Sequence, residues 1–140
     1  MERELAAYII DGWRLQLPKE WDCNLDRDPR LPQAVFDTTQ EDIMVYVTTW
    51  DFQEAAAERI GEVYRQAFAE TEGLAALPEA LTYFPEGLAG LAGKSVTEDD
   101  RTMITCALWE KGYGLMLFFV CEHYVDWREY VRYVGLVERI

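Results

Sequence analysis

The stretch that most constrains this chain covers residues 103–121. Two strongly apolar arms flank a short, more polar segment. The first arm is Met103-Ile104-Thr105-Cys106-Ala107-Leu108-Trp109, and the second is Leu115-Met116-Leu117-Phe118-Phe119-Val120-Cys121. Between them, Glu110-Lys111-Gly112-Tyr113-Gly114 supplies two glycines, which accept the backbone conformations a tight reversal demands. The pattern predicts a β-hairpin turning near Lys111 and Gly112. The second arm is apolar on both faces, so it belongs in the middle of a sheet covered on both sides. In that hairpin Cys106 is expected to pair with Phe118 or a neighbour, and Cys121 near Thr102 or Met103. The two cysteines then lie several rows apart, beyond disulfide reach.

The rest of the chain is placed around this hairpin. Residues 5–10 are short and apolar, Asp11-Gly12 offers a turn, and Trp13, Leu15 and Leu17 then alternate with Arg14 and Gln16 as a half-buried strand does. Pro18 ends that strand. Residues 21–25 suit a short edge strand, and residues 26–32 a charged, proline-broken loop. Residues 34–37 and 43–50 make a second hairpin. Along the longer arm Ile43, Val45, Val47 and Thr49 share one face, while Met44, Tyr46, Thr48 and Trp50 share the other.

Asp51 reads as a helix N-cap, with Glu54 three residues on completing a capping box. Phe52, Ala56, Ile60, Val63 and Ala67 form the apolar stripe, widened by Tyr64 and Phe68. Gly61 inside this helix costs roughly 1 kcal/mol relative to alanine, which a close approach to the sheet would explain. Gly73 reads as the stop of this helix. Residues 81–84 read as a short strand and residues 94–98 as another. A second helix follows residue 121, capped by Asp126 with Glu129, and stapled by Val125 with Tyr130. The predicted class is α+β: one domain over residues 1–140, with a single antiparallel β-sheet flanked by two main helices.

Charge and cysteine usage narrow the function classes. The net charge of −13 argues against nucleic acid or an anionic membrane as a partner, because both repel an acidic surface. A basic protein partner fits that charge. The longest apolar run, residues 114–121, is far short of the roughly 20 residues a membrane span needs. Three cysteines without CxxC spacing, and no signal-type segment after Met1-Glu2-Arg3-Glu4, lead to the expectation of free thiols and a cytoplasmic location.

The stretch Trp13-Arg14-Leu15-Gln16-Leu17-Pro18-Lys19-Glu20-Trp21 resembles the opening of PsbP-like domains, where an apolar strand ends in a Leu-Pro step followed by tryptophan. That fold family includes the extrinsic PsbP subunit of photosystem II, the yeast Ran-binding nuclear import factor and bacterial chaperone-adaptors of type VI secretion effectors. The resemblance covers most of the chain as an order of elements, and only this opening as sequence. It implies an antiparallel sheet sandwiched or flanked by helices, and a binding role in place of catalysis. It carries no functional residue onto a position here.

No motif names a reaction. Cys121 and His123 are two apart and would share a face on a strand, so a Cys-His nucleophile in a small-ligand or enzyme pocket is conceivable, although buried cysteines are usually inert. One histidine and scattered cysteines make no recognisable metal set. Glycines at positions 87, 90 and 93 lack the GxGxxG order of a phosphate cradle. No cofactor is therefore expected. The aromatic pattern says more. If both helices cover the face carrying Val45, Val47, Ile104, Cys106 and Leu108, the opposite face carries Met44, Tyr46, Trp50, Met103 and Trp109. Large aromatics and methionines suit an adaptable apolar binding surface. The expected function is a non-enzymatic protein-binding module: a chaperone or adaptor for a secreted bacterial effector, or an immunity-type protein. The partner is a basic protein or a second copy of the chain, and the Trp109 indole is partly accessible in the isolated chain.

Overall fold

A computed structural model of the chain describes residues 4–25, 34–38, 42–53, 56–96, 98–99 and 101–140. It contains two antiparallel sheets, where the sequence predicts one. Strands β1 (Leu5–Ile10) and β2 (Trp13–Pro18) form a hairpin through Asp11 and Gly12, both at positive φ (48° and 79°), as a two-residue reversal of this twist requires. Further strands are β3 (Asp22–Leu25), β4 (Ala34–Thr38), β5 (Ile43–Asp51), β6 (Ala75–Ala76), β7 (Ala89–Val96), β8 (Thr102–Glu110), β9 (Tyr113–Cys121) and β10 (Glu138–Arg139). The small sheet has the order β1-β2-β10, and the large one β3-β4-β5-β9-β8-β7-β6. The helices are α1 (Ala57–Glu70) and α2 (Arg128–Val134). The second sheet has a physical reason. Trp13, Leu15 and Leu17 are fully buried on one side of β2 while Arg14 is exposed on the other. A strand with one fully apolar face gains most by lying across a sheet, where that whole face is covered.

The predicted central hairpin forms with its turn at Lys111 (φ 53°) and Gly112. Strand β9 lies between β5 and β8, in agreement with its two apolar faces. Cys121 pairs with Thr102, and Cys106 with Leu117, so the two thiols stand four positions apart along β8. On the inner face Val45, Val47, Ile104, Leu108, Leu117 and Phe119 pack with β2 and with Tyr130, Val131 and Val134 of α2 in one core. The Leu-Pro step works within this core. Trp21 N–H donates to the Pro18 carbonyl (3.1 Å), and the Trp21 ring, 2% exposed, meets Tyr133 of α2 edge-on at 5.7 Å.

Several boundaries differ from expectation. Asp51 is not a helix cap: it is the last residue of β5, and its Oδ1 accepts the Gln53 N–H at 2.9 Å. Strand pairing of Asp51 with Tyr113 extends β5 past the capping signal. The helix starts at Ala57 after an extended Ala56, with no side-chain cap, and Glu54 lies outside the described residues. The loop of residues 26–32 also lies outside them. Residues 81–84 are not a strand. A 3₁₀ turn, Pro78–Tyr83, stands there, with proline supplying its first position. The strand expected over residues 94–98 runs earlier, as β7. Asp126 caps in a looser way than predicted: its Oδ1 accepts the Arg128 N–H at 3.1 Å, while Trp127 is the residue before α2.

The helices also occupy opposite faces of the large sheet, not the same one. Helix α2 joins the inner core, whereas α1 packs on the outer face through Ile60 and Tyr64. Gly61 explains this seat. A Cβ there would stand 3.0 Å from Trp109 Cζ2, so the missing side chain lets the helix backbone rest on the indole. The stripe is correspondingly rotated, leaving Val63 44% exposed.

Burial pushes the Cys106 thiol from its ordinary 9.0 up to about 12. The unfolded chain's thiol ionises first, so stability is fully present below about pH 9 and is lost as pH rises toward 12. Cys106→Ala should flatten part of the alkaline loss in urea midpoints measured at about pH 8 and about pH 10.5. In the folded chain at neutral pH, Cys106 should alkylate far more slowly than the half-buried Cys23. Equal labelling rates would contradict its burial.

Candidate functional site on the outer sheet face

The register places all five residues of the predicted aromatic surface on one face. Met103, Val120, Met44 and Asp37 form one row across the sheet. Thr105, Phe118, Tyr46 and Val35 form the next. Ala107, Met116 and Thr48 follow, and then Trp109, Gly114 and Trp50. Alternation along each strand produces these rows, because side chains two residues apart share a face.

Helix α1 divides this face into two parts. At one end Ile60 and Tyr64 cover Ala107 and Trp109, with Phe52, Phe68, Leu91 and Met116 packed around them. Trp109 is only 3% exposed: the Tyr64 ring lies 5.4 Å away, and the Arg65 guanidinium stands 6.0 Å from the indole centroid. Its expected accessibility is therefore corrected, because α1 occupies the side of the sheet expected to be open. Trp50 stands at the margin, 39% exposed and edge-on to Tyr64 at 6.0 Å. Beyond α1, Met44, Tyr46 and Met103 are half-buried and belong to neither hydrophobic core.

Phe118, Val120 and Val35 extend this strip and were not among the predicted surface residues. All three are half-buried and, like their neighbours, belong to neither core. The expected pairing of Cys106 with Phe118 or a neighbour leaves the face of Phe118 undecided; Cys106 pairs with the neighbour, Leu117, and Phe118 with Thr105, which puts Phe118 on the outer face. The strip is apolar at its centre and meets carboxylates at its β3–β4 edge, where Asp22 pairs with Asp37.

The Cys121–His123 pair is not assembled into a site. Cys121 is fully buried in the inner core, and His123 is exposed just past the end of β9. His123 lines an open groove of about 440 Å³ with Asp42, Tyr124, Val125, Asp126, Glu129 and Tyr130, and Cys121 is not on its wall. Among the described residues no three His, Cys, Asp or Glu side chains gather as a metal set, and no helix is long and apolar enough to cross a membrane.

A seven-stranded antiparallel sheet, carrying a three-stranded sheet and a short helix on one face and a longer helix on the other, is the architecture of a PsbP-like α+β fold. Among solved structures, the chain is similar to the solution structure of cyanobacterial PsbP (CyanoP) from Synechocystis sp. PCC 6803. The match covers 100% of this chain and 95% of that one, with a TM-score of 0.56 and 14% identity, and at that identity it shows the fold alone. No family model and no curated protein matches the sequence.

Proposed function

We propose that this chain is a non-enzymatic protein-binding module that seats its partner on the part of the outer sheet face beyond α1. The observation that supports this reading is the half-buried strip of Met44, Tyr46, Met103, Phe118 and Val120, which no core cluster takes up. Methionine and aromatic side chains give such a strip adaptable, polarizable contact area. In this reading the partner is a basic protein, because the chain carries a net charge of −13 and acidic side chains border the strip. A chaperone or adaptor for a secreted bacterial effector is the form of this role that the PsbP-like look favours, and an immunity-type protein is the sub-case that the net charge of −13 favours. The small-ligand or enzyme reading at Cys121 and His123 loses its nucleophile to burial.

Two substitutions test the strip. Tyr46→Ser with Phe118→Ser should weaken association by about 2 kcal/mol or more, the usual threshold for a hot spot, while the variant retains its fold. Unchanged affinity in the folded variant would refute the assignment. Association should also weaken strongly as salt rises from low to physiological levels, since opposite charges at that interface are screened over about 8–10 Å. A salt-insensitive complex would count against a basic partner.

A further inference from the structure

A second recess lies at the seam between the two sheets, where the β1–β2 turn meets the end of β5 and the start of β9. It measures about 380 Å³ and is lined by Asp11, Trp13, Thr49, Trp50, Asp51 and Tyr113. Three of these are aromatic, two are carboxylates and one is a hydroxyl; none of the described lining residues is basic. We propose that this cleft receives a basic side chain, a guanidinium or an ammonium, presented by the protein partner. The proposal rests on the protein-binding reading and specifies what that partner inserts.

The geometry suits a cation. Aromatic faces attract positive charge through their quadrupole, and carboxylates add direct attraction. The chain's own Arg139 already demonstrates the chemistry of these rings from outside the cleft. Its guanidinium carbon stands 4.0 Å from the Tyr113 centroid and 5.1 Å from that of Trp13, and Nη1 donates to the Asp11 carbonyl at 2.7 Å. Both carboxylates are held in place. Thr49 Oγ1 donates to Asp11 Oδ2 at 2.6 Å, and Gln53 N–H donates to Asp51 Oδ1 at 2.9 Å. Each bond engages one oxygen of its carboxylate, and both residues line the recess. Trp50 and Tyr113 are 39% and 40% exposed, so their rings are reachable from solvent. A net charge of −13 draws cations to this surface and opposes anions. Trp50 lies four residues along β5 from Tyr46, at the α1 end of the outer face, so the cleft is a contact separate from the docking strip and a partner filling both reaches past α1.

The test uses the full chain and a small probe, so it does not depend on finding the partner. The Trp50 indole N–H resonance, assigned by its loss in Trp50→Phe, is followed during titration with N-acetyl-arginine amide. The neutral isostere N-acetyl-citrulline amide and a methyl glucoside serve as controls. A saturable shift with the arginine compound is expected at about millimolar concentration. The citrulline compound should bind roughly tenfold more weakly, and so should the arginine compound to Asp11→Asn/Asp51→Asn, the loss expected from two exposed charge pairs. An unchanged unfolding midpoint establishes that the double variant is folded. Equal response to citrulline, response only to the glucoside, indifference to the Asp→Asn changes, or no saturable shift would each overturn the proposal. If arginine binds while strip variants leave partner association intact, the docking strip fails and the cation cleft stands. If strip variants lose association and arginine does not bind, the strip stands and the cleft fails.

Discussion

Replacing Trp109 by alanine is expected to cost about 3–5 kcal/mol of folding stability, the range for deleting a large buried aromatic. The indole packs with Tyr64, Ile60 and the bare backbone of Gly61. Against a total stability of about 5–15 kcal/mol, that loss brings a single domain close to unfolding at moderate temperature. Urea unfolding measures it directly. Partner affinity per folded molecule should hardly change, because α1 already covers this ring. A small stability loss accompanied by weakened association would instead return Trp109 to the docking surface.

Gly114→Ala should be the other severe change, costing about 3 kcal/mol, the upper end of ordinary overpacking. The Tyr64 hydroxyl lies directly against the position a Cβ would take on Gly114, and Phe52 Cε2 stands 3.1 Å from it. Strand β9 is central and cannot shift without disturbing β5 and β8. The same tyrosine allows a second measurement. Its buried hydroxyl finds no hydrogen-bond partner among the described residues, and burial pushes its pKa upward. A buried, unsatisfied hydroxyl carries a desolvation cost of about 1–3 kcal/mol that phenylalanine does not. Tyr64→Phe alone should therefore be neutral or stabilising, and in the Gly114→Ala background it should restore a substantial part of the loss. Additive effects in the double-mutant cycle would contradict the contact between the two positions.

Much of the sheet is legible in the sequence, and the reason is periodicity. Alternation in residues 43–50 and the glycines between residues 110 and 114 fix two hairpins, because a slipped register would expose a buried face. The aromatic face follows from the same parity. What the pattern does not contain is which element covers which face. Both faces of β9 are apolar, so nothing along that strand says that α1 goes outside and α2 inside. Gly61 holds that information only as a missing side chain, readable once its neighbour is known to be Trp109. The small sheet is hidden for a similar reason. A half-buried strand such as β2 has the same alternation whether it extends a sheet or lies across one. Local capping signals misplace the start of α1, since pairing of Asp51 with Tyr113 outweighs a favourable cap at the same residue. Phe118 escapes notice through a register uncertainty of one position, enough to exchange the two faces.

The central claim is that the outer face beyond α1, half-buried in the free chain, is covered further by a partner. Methionine oxidation tests it, with its own internal control. Met44 and Met103 lie on the strip, whereas Met116, on the same face, packs under α1 with Tyr64 and Trp109. In the folded, isolated chain all three are half-buried, so limited peroxide treatment should give each a measurable rate of sulfoxide formation. Bound partner should then slow oxidation of Met44 and Met103 and leave the rate of Met116 unchanged. No protection of Met44 and Met103 in the complex, or equal protection of all three methionines, would contradict the account.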